Sequence, residues 1–221
     1  YLKMLKAIQK IIDKTKFKRS KKGEYCSILF VGNAKYSAKF PISPLLDQTV
    51  DLFNDVTQFV KELNPEIKSK VKFRLKGITG LNSEKKFSDM FGEEYIDKAS
   101  AENSFEKTIL NSKLIISTYA HTAYSEAMHS NIPTILLLNT NYLQLSKAAL
   151  DTFNILKKNN IAFDDFNEAK IHINKYWKEL DSWWQRENVQ FARKMFLKNF
   201  FNVKPNWYKE WSDYIYLSPT F

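Results

Sequence analysis

The chain has 221 residues, 44% of them hydrophobic and 26% charged, with 17 Phe, 11 Tyr and 5 Trp; this composition suits a folded globular protein and excludes a solvated coil. One cysteine, Cys26, excludes a disulfide framework and any Cys-based zinc site, and no apolar run approaches the ~18 residues that span a bilayer. The net charge of +10 is concentrated: residues 1–22 hold nine Lys/Arg against Asp13 alone, whereas the other 199 residues hold 25 Lys/Arg and 23 Asp/Glu. The body is therefore nearly neutral. A nucleic-acid partner, which wants positive charge spread over a folded face, is not expected.

In chain order, residues 1–14 read as a basic amphipathic helix, with Leu2, Leu5, Ile8 and Ile12 at helical spacing and lysines between them. Two readings stay open: contact with an anionic membrane surface through residues 1–22, or a linker helix packed on an upstream domain. The first residue is Tyr1, so we expect a fragment or trimmed domain of a longer polypeptide. Residues 25–31 (YCSILFV) form a short apolar run, as a strand buried on both faces would. A loop leads to a helix from Pro44, with Ser43 as candidate N-cap and Leu46, Val50, Phe53, Val60 and Leu63 inward, stopped by Asn64-Pro65. Residues 71–75 (VKFRL) are a second strand, followed by a turn with Gly77 and Gly80 and a helix over 83–91. Residues 94–97 read as a small strand, and 104–112 as a helix.

The clearest unit is a strand over 113–117, a turn over 118–122, a helix over 123–130 with Asn131 as C-cap, and a strand over 132–138. A βαβ crossover of this length makes its two strands parallel neighbours. A helix over 143–158 and a short strand over 161–163 follow. Asp164-Asp165 suits a helix N-cap better than a metal, and everything beyond is helical, with all five Trp. Trp177, Phe191, Phe196 and Trp211 are spaced for core packing on helix faces rather than for base stacking. The alternation argues an α/β fold, a doubly wound, mostly parallel Rossmann-like sheet with a helical tail. Its segments are 1–24 (basic helix and linker), 25–164 (sheet domain) and 165–221 (aromatic tail, packed on that domain or on another).

In such sheets ligands sit outside the carboxyl ends of the strands. The segment Thr118–Glu126 (TYAHTAYSE) runs from a buried strand into a helix N-terminus, where free N–H groups and the helix dipole favour a phosphate. Thr122 is either an N-cap or a hydroxyl donor to phosphate. His121 is either a pyrophosphate or sugar contact or a bystander. Glu126 either accepts two ribose hydroxyls or sits favourably in the dipole. Lys35 and Lys39 either neutralise a nucleotide or line a solvated basic loop. Arg74, at a strand end, is a phosphate or carboxylate clamp if turned toward the crevice and a surface charge if turned out. No P-loop, GxGxxG or GxSxG is present, and no metal is expected.

The pattern S-T-x-x-x-T-x-x-x-E-A-M-x-x-x-I-P-T-I over residues 117–135 resembles the donor-binding half of GT-B glycosyltransferases. Downstream, N-N-I-A-F-D-D, E-A-K-I-H-I-N-K-Y-W, D-S-W-W, V-Q-F-A-R-K-M-F and W-Y-K-E-W resemble the C-terminal domain of a bacterial family of surface-carbohydrate transferases from spirochaete lipopolysaccharide gene clusters. The resemblance implies a metal-independent two-domain enzyme. Its C-terminal domain binds a nucleotide-sugar donor as substrate, with no cofactor. The N-terminal domain of the same polypeptide brings the glycan or lipid-linked acceptor and the catalytic base. It further implies His121 and Thr122 at the donor phosphate, Glu126 at the ribose, Thr118 in the same loop and Arg74 at a basic position of the second strand. The sequence shows no signal peptide, from which a cytoplasmic location is expected, peripheral to the inner membrane if residues 1–22 bind it. The rival expectation is a degenerate binding or scaffold domain that has kept the fold and lost the chemistry.

Overall fold

The computed structural model describes residues 23–30, 46–75, 82–98, 100, 103–120, 122–140, 145–201 and 206–217. The basic segment 1–22, and with it Lys35, Lys39, Gly77, Gly80 and His121, lies outside the described residues. Five apolar runs form the strands β1 (Tyr25–Phe30), β2 (Val71–Leu75), β3 (Ser112–Ser117), β4 (Thr134–Leu137) and β5 (Ala162–Phe163). They pair in the order β2-β1-β3-β4-β5, and every pair is parallel. The strands β1, β3 and β4 have no exposed residue, because helices cover both faces. Ile28, Leu114, Ile115, Ile116 and Ile135 are completely buried, each worth about 1.5–3 kcal/mol over an exposed side chain.

Among the described residues, ten α-helices connect and flank these strands: α1 (Leu46–Lys61), α2 (Pro65–Lys68), α3 (Ser83–Phe91), α4 (Phe105–Asn111), α5 (Thr122–His129), α6 (Lys147–Lys158), α7 (Phe166–Tyr176), α8 (Leu180–Trp184), α9 (Glu187–Phe200) and α10 (Trp207–Leu217). Pro65 does more than stop a helix: it opens α2 at the first position, where its missing N–H costs nothing. Asp165 caps α7 by accepting from the N–H groups of Asn167 (2.6 Å) and Glu168 (3.2 Å), as Asp164-Asp165 suggests. Ser146 caps α6 through the Ala149 N–H.

Most buried apolar side chains belong to one large cluster that takes in both α1 and α5. Phe30, Phe53, Phe73 and Phe87 form an aromatic knot, with Phe73 stacked on Phe87 at 4.2 Å between centroids. A second, smaller cluster holds Leu29, Ile109, Ile115, Ala127 and Ile132. The helical tail joins the larger cluster through Trp177, Leu180, Trp183, Trp184, Val189, Ala192 and Phe196. It packs on the sheet domain, with α7 against α1 and α9 against α5 and α6.

Three local expectations are corrected. Residues 94–97 make no strand: a 3-10 turn (Glu93–Tyr95) brings Ile96 to a single parallel bridge with Phe73 at the sheet edge. Val50 is exposed, and Leu52, Val56 and Phe59 take the inward places on α1. Phe191 and Trp211 are also exposed, while Trp177 and Phe196 are buried. Helical spacing fixes which residues share a face; it leaves open how wide a stripe the neighbours cover.

Candidate functional site

The chain leaves β1 for β2 on one side and reaches β3 on the other, so the strand order reverses between β1 and β3. Open parallel sheets hold ligands at the carboxyl ends of the strands at such a reversal. Two segments follow these strand ends in the sequence: the connection after β1, whose Lys35 and Lys39 lie outside the described residues, and residues 118–122 after β3, of which His121 lies outside them.

The start of this second segment is bonded to the sheet. The Thr118 N–H and its hydroxyl both donate to the Leu29 carbonyl, at 3.2 and 3.1 Å, and Thr118 is buried. The Ser117 hydroxyl donates to the Tyr119 carbonyl at 2.6 Å. Thr118 thus ties the end of β3 to the end of β1, with its hydroxyl turned to the backbone. Ala120 and Thr122 are exposed, so α5 starts in solvent directly after a clamped turn. Orphan N–H groups at a helix start, together with the dipole, form an anion-seeking patch. Tyr124 is fully buried, its ring edge-on to Phe196 at 5.1 Å, and it anchors this turn on α9. Glu126 is partly buried in the second turn of α5, which has no acidic residue in its first turn. That weakens the dipole explanation for Glu126, because the effect fades beyond the first turn.

Arg74 sits near the end of β2, paired in register with Leu29. Its guanidinium points neither to open solvent nor to an empty crevice. It donates to the Asp97 carboxylate at 3.3 Å and to the Asn103 carbonyl at 2.8 Å. Asp97 also accepts from Asn103 Nδ2 at 2.5 Å and from the Thr108 hydroxyl at 2.6 Å. The carboxylate that Arg74 clamps is thus internal, and the clamp pins the edge segment and α4 to β2. Thr122 and Glu126 share one helix, whereas Arg74 and Thr118 are bonded within the protein.

The far end of α5 is locked by residues that spacing alone does not connect. Asn131 adopts φ 56°, the left-handed cap conformation. Its side-chain oxygen accepts from Trp184 Nε1 (2.9 Å), Gln190 Nε2 (3.2 Å) and Arg193 Nε (2.9 Å). The tail motifs D-S-W-W and V-Q-F-A-R therefore meet at the C-cap of the helix whose other end faces the crevice. Beside α5, a cleft of about 450 Å³ opens between α5, α6 and the end of α9, lined by Leu136, Leu138, Phe153, Leu156 and Phe196 among others. Cys26 is fully buried and its thiol is pushed up to about 12, which removes it as a nucleophile. Among the described residues no three His, Cys, Asp or Glu side chains group as metal ligands would, and no helix is long and apolar enough to cross a membrane.

These features define a Rossmann-like α/β protein with a candidate anion site at the carboxyl ends of its central strands. The chain belongs to the LIC12162 family of transferases, whose family model matches residues 3–215. No curated protein and no solved structure matches it. The family bears out the transferase part of the resemblance.

Proposed function

We propose that this transferase is the donor-binding half of a GT-B-type glycosyltransferase. It moves a sugar from a nucleotide-activated donor to a surface polysaccharide or lipopolysaccharide acceptor at the cytoplasmic side of the membrane. The observation that carries the reading is the exposed start of α5 at Thr122, by the β1/β3 reversal, with Glu126 one turn further along the same helix.

In this reading the donor diphosphate lies against the N–H groups of that turn, with the Thr122 hydroxyl and His121 beside it and Lys35 and Lys39 facing it from the connection after β1. Glu126 accepts the two ribose hydroxyls. As the bond from the anomeric carbon to the diphosphate oxygen breaks, charge grows on the leaving phosphate. Fixed N–H dipoles and cations stabilise that charge without reorganising, which is where preorganised electrostatics lowers a barrier. Thr118 and Arg74 act by holding the framework, through Leu29 and Asp97. The partner domain of the same polypeptide supplies the acceptor site and the base.

The test is a titration of the chain with UDP, GDP and CMP and their sugar derivatives, followed by ligand-observed NMR. One nucleotide binds selectively, and Thr122→Val and Glu126→Gln each weaken it about ten-fold, the loss of one or two hydrogen bonds. A specific observation favours a second reading, the degenerate domain: the polar groups of Arg74 and Thr118 are already taken up inside the protein. That reading predicts no nucleotide binding in either the chain or the longer polypeptide.

A further inference from the structure

We infer that the cleft beside α5 seats the hydrocarbon chain of a lipid-linked acceptor whose head group reaches the acceptor site of the partner domain. The seating of a chain stands on the cleft alone; only the word acceptor rests on the donor reading above. At about 450 Å³ the cleft has the size of a small-molecule site. Its inner wall is Leu138 from the end of β4, Phe153 and Leu156 from α6, and Phe196 from α9. None of the described lining residues carries a charge. The hydroxyls of Thr122 and Ser125 belong to the start of α5, and the Thr152 hydroxyl already accepts from Asn199 Nδ2 at 3.0 Å.

This chemistry decides between guests. A nucleobase carries several donors and acceptors that these walls would leave unpaired, each at a desolvation penalty. An aliphatic chain loses nothing there and gains for every methylene removed from water. The rim agrees: Phe200 remains 46% exposed at the edge of the cleft, an apolar ring left in water where a chain would enter. Because Thr122 lines both the cleft and the first turn of α5, a chain seated inside presents its polar head beside the crevice, where a sugar would be received.

The test uses hexyl and octyl β-glucoside below their micelle concentrations, titrated into the 221-residue chain. Each buried methylene contributes about four-fold, so the octyl compound binds about fifteen-fold tighter. Its chain protons show NOEs to the rings of Phe153 and Phe196. Ala149→Phe, which fills the cleft from α6, abolishes octyl binding and leaves nucleotide binding unchanged. Equal affinity for the two glucosides, or NOEs confined to Trp211 and Tyr214 on α10, overturns the inference. Competition between UDP and octyl glucoside for the cleft also overturns it, since the pocket would then belong to the base. Octyl binding without any nucleotide binding supports the cleft assignment and sinks the donor reading instead.

Discussion

At the scale of single residues, three groups carry more than their positions suggest. Asn131 combines a left-handed backbone with an oxygen that serves three donors from the tail. Asn131→Gly keeps the backbone and removes the acceptor; we predict a loss of about 2 kcal/mol in urea unfolding, with Asn131→Ala about 1 kcal/mol worse because Ala resists the left-handed region. Arg74 and Asp97 form a largely buried pair, and Arg74→Met is predicted to cost about 3 kcal/mol by stranding the carboxylate. An unchanged unfolding midpoint with weakened nucleotide binding would assign Arg74 to the donor instead. His172 is buried among Phe163, Tyr176 and Trp183, its Nε2 unpartnered. Burial, helped by Arg186 and Lys175, lowers the imidazole from 6.5 to about 4. Between those values the unfolded chain holds a proton that the folded chain does not. Its contribution is thus complete above about pH 6.5 and shrinks as pH falls toward 4, by about 3 kcal/mol in all. Stability curves of wild type and His172→Phe should differ by this acid slope, and parallel curves would contradict the assignment.

At the scale of elements, the caps offer the cleanest test. Asp165→Ala removes the acceptor for two N–H groups of α7 and is predicted to cost about 1 kcal/mol, read from the thermal or urea midpoint. That cap, the β3–α5–β4 crossover and the Asn131 turn are all legible in the sequence, because each is written in adjacent residues. The strand misread over 94–97 shows where such reading stops. Glu93–Ile96 is shaped by Phe73, to which Ile96 bridges, and by Arg74, which holds Asp97. Those partners lie more than twenty residues away and leave no local signature. The candidate site divides in the same way. A polar turn running into a helix marks Thr122 and Glu126 from sequence. The internal bonds of Thr118 and Arg74 depend on Leu29, Asp97 and Asn103, and only the folded sheet brings these together. The cleft, assembled from four elements, has no sequence motif at all.

At the scale of the whole molecule, the tail is part of the domain as far as α9, because Val189, Ala192 and Phe196 lie in the main core. The helix α10, by contrast, leaves Trp211, Tyr214 and Tyr216 exposed. Truncation after residue 201 should leave the unfolding midpoint close to that of the full chain, whereas truncation after 186 should abolish cooperative unfolding. Equal loss in both would show α10 to be a structural member. In the proposed function, the sheet and α9 aim the start of α5 at the crevice that receives the donor's charge. The measurement that tests this most directly is amide chemical-shift mapping of the chain on adding UDP, GDP or CMP in turn. The largest shifts are predicted at residues 122–126, with loss of the response in Glu126→Gln. Shifts centred elsewhere on the sheet, or none with any nucleotide, would contradict it.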